Sequence, residues 1–124
     1  MTQLIAIAAG GASGSLLRFW MSSGVHALVG RQFPYGTLAV NVLGCLLMGI
    51  LFVLLTERLN LGPVWRAGLL IGLLGGFTTF SAFSMETINL IEEGAPLKAS
   101  LNVFLSVFTC LAATWLGVVA GRQL

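Results

Sequence analysis

The residue types best suited to chemistry are concentrated in one stretch beyond the middle of the chain. Residues 75–84 read GGFTTFSAFS, so two glycines are followed by two threonines and by serines set among phenylalanines. These residue types propagate a helix poorly, and a break in the helix would leave backbone carbonyls that can bind a cation. The alternative is a continuous but flexible helix, and these residues alone favour neither interpretation.

Phe80 and Phe83 in this stretch are three residues apart and therefore share one face of a helix. Spacing alone favours plain packing for such a pair. Aromatic rings also have a negative face and a positive edge, so rings whose edges point inward offer weak, dry contact to a small anion.

Other polar side chains interrupt the remaining apolar stretches. The amide of Asn41 can donate a hydrogen bond to an anion, or it can join two helices. Arg18 either extends towards the membrane surface or concentrates anions in a water-filled vestibule, and Glu86 is interpreted as interfacial. Hydroxyls that can line a path or bond to their own helix are those of Ser81, Ser84, Ser106 and Thr114. A set of donors without a central acid suits an anion better than a cation.

The composition places these residues in a membrane protein. Charged residues are 8% of the 124 and hydrophobic residues are 57%, whereas roughly 25% of an ordinary soluble domain is charged. So few polar side chains cannot cover the surface of a soluble fold. The net charge of +2 is too small for a nucleic-acid-binding surface, so we expect no nucleic acid partner. The side chains contain no catalytic constellation, so we do not expect an enzyme.

The charged residues divide the chain into windows that can each cross a bilayer as a helix of about 20 apolar residues. We predict an all-α integral membrane protein, one domain over residues 1–124, with transmembrane helices near 3–29, 35–56, 64–93 and 97–121. Turn-forming residues separate these helices at 30–34, 60–63 and 93–96.

Small residues predict how these helices pack. Glycines four residues apart allow two helix backbones to approach closely. They are Gly10 and Gly14, then Gly68, Gly72 and Gly76, and finally Gly117 and Gly121. Cys45 and Cys110 fall in different predicted helices and are interpreted as packing residues rather than as a disulfide, and no Cys/His cluster indicates a zinc or redox site.

The basic residues give almost no signal for the direction of insertion. The side with the termini receives Arg58, Arg66 and Arg122, and the opposite side receives Arg31 and Lys98. So weak a bias allows insertion in both orientations, which makes an antiparallel homodimer possible. The alternative is that other signals fix one orientation. A solute pathway favours the dimer, because four short helices barely surround a hydrophilic passage.

Nearly the whole chain resembles the Fluc (CrcB-type) fluoride channels, a family of small four-helix bacterial membrane proteins. The resemblance is carried by GGASG at 10–14 with Arg18, by GTLAVNVLG at 36–44, and above all by residues 75–84 followed by Glu86. It implies a multi-pass protein of the bacterial inner membrane whose third helix is broken mid-membrane. It also implies an antiparallel, dual-topology homodimer with two pores, each lined by both subunits, that passively exports fluoride and so protects the cell.

The resemblance also assigns roles to individual residues. Phe80 and Phe83 would face fluoride with their ring edges, and Asn41 would supply the pore amide. The remaining pathway residues would be Arg18 in the vestibule and Ser81, Ser84 and Thr114 in a polar track. Backbone carbonyls of Gly75 and Thr78, from both subunits, would hold a structural Na⁺ at the dimer interface. Asn102 departs from the family, which often has a tyrosine there, although an amide can donate where a phenol would.

Two other functions are compatible with parts of the sequence. A proton-coupled transporter of the small multidrug-resistance type also has four helices, but it needs a titratable carboxylate near the midplane, usually in the first helix. The first predicted helix here contains Arg18 and no acid. A non-transporting assembly or regulatory subunit would explain the glycines and the helices, but it would leave Asn41 and the phenylalanine pair without a role.

Overall fold

The computed structural model describes residues 1–59 and 61–124, and these residues fold as helices joined by short connections. Helix α1 is Thr2–Val29, and α2 is Tyr35–Val53 followed by a π-helical turn at Leu54–Arg58. Helix α3 covers residues 63–77 and consists of Pro63–Arg66, a π-helical segment at Ala67–Leu74, and Gly75–Phe77. Helices α4 and α5 are Phe80–Glu92 and Pro96–Gln123.

Within the described residues, four helical stretches are long and apolar enough to cross a membrane. They are Thr2–Val29, Tyr35–Arg58, Pro63–Glu92 and Pro96–Gln123. This confirms the prediction of an all-α chain with four such helices. Large apolar side chains cover the outer surface, where Phe19 and Phe104 are 66% and 60% exposed. An apolar exterior of this kind is stable against lipid and not against water.

Glycine and proline residues end and begin the helices, as the turn chemistry predicts. Gly30 follows α1 with a φ of 90° and donates its N–H to the His26 carbonyl at 2.8 Å. Gly62, with a φ of 95°, precedes Pro63 at the first position of α3. Positive φ values favour glycine, and proline suits a first helical turn, where its missing N–H costs nothing. The predicted turn at 60–63 includes Asn60, which lies outside the described residues.

The helices pack as two close pairs, α1 with α3 and α2 with α5. In the first pair, a Cβ on Gly10 would collide with backbone atoms of Gly68 and Leu73. In the second, a Cβ on Gly49 would collide with the backbone of Thr114, and one on Gly117 with that of Leu46. The glycines at four-residue spacing therefore lie where two backbones touch, as that spacing predicts.

Charged residues lie at both ends of the bundle. At one end, Arg122 lies 3.6 Å from the Glu57 carboxylate, and Arg58 donates to the Arg122 carbonyl oxygen. At the other end, Arg31 and Lys98 line a common cavity. Basic side chains are thus present at both ends of the helices.

Candidate functional site

The centre of the candidate site is the interruption between α3 and α4. Thr78 and Thr79 have extended backbones there, with φ and ψ of −82° and 155° for Thr78 and of −150° and 114° for Thr79. Thr78 still donates its N–H and its hydroxyl to the Leu74 carbonyl, each at 3.0 Å. The regular ladder of helical hydrogen bonds ends at that carbonyl and resumes only within α4.

Asn41 on α2 supplies the hydrogen bonds that the interruption removes. Its Nδ2 donates to the Thr79 carbonyl oxygen at 3.0 Å, and its Oδ1 accepts the Thr79 N–H at 2.8 Å. One side-chain amide therefore satisfies both backbone groups of Thr79. This geometry shows Asn41 joining two helices, and because an amide nitrogen carries two N–H groups, the second can also donate to a ligand.

The side chain of Thr79 starts α4. Its hydroxyl accepts the Ala82 N–H at 3.1 Å and lies 3.3 Å from the Ser81 hydroxyl. A threonine hydroxyl in this position is a helix N-cap, typically worth about 1 kcal/mol. The sequence interpretation did not single out Thr79, although a threonine directly before a helical apolar run is a known N-cap signal.

A cavity of about 320 Å³ lies beside the interruption. Five residues that the sequence analysis proposed for a pathway or an ion site meet at its wall: Asn41, Thr78, Phe80, Phe83 and Ser106. The two phenylalanine ring centroids are 5.2 Å apart and the ring planes are tilted by 48°. Phe83 is 8% exposed, whereas Phe80 is 76% exposed in the single chain. This aromatic cavity, as we call it, is therefore open on the side of Phe80.

A second cavity, of about 360 Å³, lies on the other side of Thr79. Its lining includes Arg18, Arg31 and Glu86 together with hydroxyl side chains, so we call it the polar cavity. The Thr37 hydroxyl donates to Glu86 Oε2 at 2.9 Å, while Glu86 Oε1 is buried and has no hydrogen-bond partner among the described residues. Thr79 lines both cavities, so the interruption stands between a charged compartment and an aromatic one.

The remaining predicted site residues lie outside the aromatic cavity. Arg18 faces the polar cavity, and Ser81 is exposed and contacts the Thr79 hydroxyl. Ser84 and Thr114 line neither of the two cavities. The Thr114 backbone instead lies against Gly49, where α2 and α5 touch. Gly75 is exposed at the end of α3.

Asn102 belongs to a chain of hydrogen bonds in the interior. It is 2% exposed, and its Nδ2 donates to the Thr87 hydroxyl at 2.9 Å. Thr87 donates in turn to the Phe83 carbonyl at 2.8 Å, and Ser106 approaches Asn102 Oδ1 at 3.4 Å. The sequence interpretation flagged Asn102 without a partner and did not mention Thr87. The sequence did contain a signal, because Thr87 lies four positions after Phe83 and Ser106 lies four positions after Asn102. Residues at this spacing are neighbours on one helix face.

The fold and the site define a class of protein, a multi-pass helical membrane protein in which an interrupted helix separates a charged cavity from an aromatic one. A family profile described as "CrcB-like protein, Camphor Resistance (CrcB)" matches residues 5–118. The chain belongs to this family, so the resemblance seen in the sequence is confirmed.

Relatives with a functional name support the same assignment. The chain is 51% identical over 124 residues to the "Fluoride-specific ion channel FluC" of Geobacter sulfurreducens, with all of both chains covered. It is 56% identical over 113 residues to the protein of that name from Coxiella burnetii, covering 90% of this chain and 91% of the relative. A third protein of that name, from Methylococcus capsulatus, is 55% identical over 121 residues. That match covers 98% of this chain but 53% of the relative, so the chain spans about half of its length.

Proposed function

We propose that this protein is a fluoride channel of the bacterial inner membrane that lets F⁻ leave the cytoplasm passively and so limits fluoride toxicity. The names of its relatives support fluoride as the transported ion. Passive transport requires no chemical reaction from the protein. The observation that carries the proposal is the meeting of Asn41, Phe80 and Phe83 at one cavity beside the interrupted helix.

The two cavities suit the demands that fluoride makes on a pore. Fluoride is small and strongly hydrated, so a pore must replace its water with donors and yet release it. In the polar cavity, Arg18 raises the local concentration of anions and hydroxyls replace water. In the aromatic cavity, the second N–H of Asn41 and the ring edges of Phe80 and Phe83 make weaker contacts. Weak contacts of this kind allow the ion to move on.

The conducting unit in this proposal is an antiparallel homodimer inserted in both topologies, with two pores that each use residues of both subunits. Support comes from the aromatic cavity, which is open in a single chain and has Phe80 76% exposed at its edge. An antiparallel partner chain can close such a cavity. The presence of basic residues at both ends of the bundle supports insertion in both directions.

We further propose that carbonyls of Gly75 and Thr78, from both subunits, hold a structural Na⁺ where the two interrupted helices cross within the membrane. In a regular helix these carbonyls would accept from the N–H groups four residues later, those of Thr79 and Ala82. Thr79 donates instead to Asn41, and Ala82 donates to the Thr79 hydroxyl. Both carbonyls have therefore lost their helical donors, and carbonyl oxygens of unwound helices suit Na⁺. The cation would offset their partial negative charge.

The decisive experiment measures fluoride release from liposomes that contain only the purified protein. With fluoride inside and a potassium ionophore to balance charge, we expect an electrode to record rapid fluoride release. Liposomes filled with chloride should release almost none. Vesicles that keep their fluoride would contradict the proposal, and proton-driven uptake of a cationic dye would support a transporter of the small multidrug-resistance type instead.

A further inference from the structure

Two facing helices each carry a stripe of polar side chains that ends in a cysteine. The members of each stripe recur every fourth residue and so lie on one helix face. The stripes are Thr37, Asn41 and Cys45 on α2, and Asn102, Ser106 and Cys110 on α5. The fluoride pathway proposed above uses Asn41 but gives the thiols no role.

The two stripes border the same cavity. Cys45 and Cys110 both line the aromatic cavity, together with Phe83 and Leu111. Within that wall the two thiols come from different helices, Cys45 from α2 and Cys110 from α5. Both are free thiols, and both are partly buried. Two sulfur ligands from different helices therefore border one cavity, where an ion can meet both.

The surroundings select the kind of ion that can bind. Among the residues that the structure describes, the cavity wall has no carboxylate, so these residues offer hard cations such as Mg²⁺ and Ca²⁺ no charged oxygen ligand. Thiolates prefer soft metal ions, and some soft ions accept two sulfur ligands in a line. A divalent soft ion that replaces the two thiol protons forms two metal–sulfur bonds and releases two protons to water. The product is neutral, which suits a largely apolar cavity.

We propose that Cys45 and Cys110 form a binding site for a soft, thiol-seeking divalent cation, and that an ion bound there obstructs fluoride passage. The obstruction of fluoride passage rests on the proposed function. An ion held by the two thiols would obstruct passage because it would occupy the cavity that Asn41, Phe80 and Phe83 also line.

The test uses Hg²⁺ as the probe and the purified full-length protein. Ultraviolet absorption should show a sulfur-to-mercury band that saturates at one Hg²⁺ per chain and disappears with excess dithiothreitol. In fluoride-loaded liposomes, Hg²⁺ should inhibit release, and Cys45→Ala or Cys110→Ala should raise the half-inhibitory concentration by about tenfold or more, as expected when one of two ligands is lost. Each inhibition curve is normalised to the same variant without metal.

The protein contains 2 cysteines, so the double alanine variant provides a thiol-free control and should show neither the band nor inhibition. Serine variants at both positions replace the alanine variants if the latter do not elute as folded protein. Absence of the band, or equal affinity after removal of one thiol, would refute the site. A normal band with unaffected fluoride release would refute the obstruction. Absence of release without metal would count against the proposed function only, because the band still tests the site.

Discussion

At the scale of single residues, the amide of Asn41 has the most demanding position in the candidate site. It accepts a hydrogen bond from the Thr79 N–H and donates one to the Thr79 carbonyl. At this interruption the helix itself supplies no partner for either backbone group. A buried backbone group left without a partner costs about 1–3 kcal/mol, so the amide stabilises the interruption as well as lining the cavity. The structural role of Asn41 and the conducting role proposed for it are therefore expected to depend on the same nitrogen atom.

Replacing this amide by a carboxylate removes the donor and keeps the size. In Asn41→Asp, Oδ1 still accepts the Thr79 N–H, but a second carboxylate oxygen then faces the Thr79 carbonyl and the passing anion. We expect fluoride release from liposomes to fall by about tenfold or more, equivalent to losing about 1.4 kcal/mol or more of favourable interaction. Asn89→Asp, at an exposed position of α4, makes the same chemical change away from both the interruption and the aromatic cavity. Equal release from both variants would show that Asn41 is not a pathway residue.

At the scale of elements, Thr79 determines where α4 begins. Its hydroxyl accepts a hydrogen bond from the Ala82 N–H and so caps the helix. Serine has a similar hydroxyl and a smaller side chain, so it can keep this bond. We expect Thr79→Ala to lower the free energy of unfolding by about 0.5–2 kcal/mol, while Thr79→Ser stays near the parent protein. Thermal unfolding in detergent, followed by circular dichroism, measures the difference. An alanine variant as stable as the serine variant would mean that the cap does not stabilise α4.

Glycines at helix contacts and glycines on open surfaces are expected to respond in opposite ways to the same substitution. A Cβ on Gly49 would collide with the backbone of α5, whereas one on Gly24 in α1 would meet nothing within 4 Å. We expect Gly49→Ala to destabilise the protein by about 1–3 kcal/mol through overpacking. Gly24→Ala should gain up to about 1 kcal/mol, because alanine favours a helix. Unfolding curves that show equal shifts for the two variants would contradict the close pairing of α2 with α5.

The helices were more predictable than the contacts between them, and the reason is physical. Apolar windows, glycine spacing and turn residues are local features, so they predict helices and their packing faces directly from the sequence. The second helix nevertheless continues to Arg58, beyond the predicted end at 56, because a π-helical turn closed by Leu59 extends it. Local signals do not specify such a turn.

The partners of the polar residues depend on which helices become neighbours, and this cannot be read from local spacing. Asn41 bonds to a residue 38 positions away, and Thr37 to Glu86 across 49 positions. Phe80 and Phe83 share a face by spacing and yet differ in exposure, since α4 borders other helices on only part of that face. The sequence analysis therefore singled out Asn41, Phe80 and Phe83, which the structure brings to one cavity, but not the hydrogen bonds that hold them there.

At the scale of the whole molecule, the proposed pores require two copies with opposite orientation, and the charges at the two ends provide a way to control orientation. Replacing Arg58, Arg66 and Arg122 by glutamine leaves basic residues only towards the other end, and replacing Arg31 and Lys98 leaves Arg18 as the one basic residue outside the first end. By the positive-inside rule each variant should insert in one direction only.

Each of these variants, expressed alone in a fluoride-sensitive bacterium, should therefore fail to protect growth in fluoride, because antiparallel pairs cannot form. Expressed together, they should restore protection, since each supplies the orientation that the other lacks. Lysine substitutions at the three arginines Arg58, Arg66 and Arg122 keep the charge and should protect alone, which controls for loss of the guanidinium groups. Protection by either glutamine variant alone, with labelling that proves a single orientation, would mean that a parallel assembly or a single chain conducts. If the two variants are expressed normally together and still fail to protect growth, the replaced side chains act in conduction itself. Only rescue by co-expression shows that activity depends on two copies of opposite orientation.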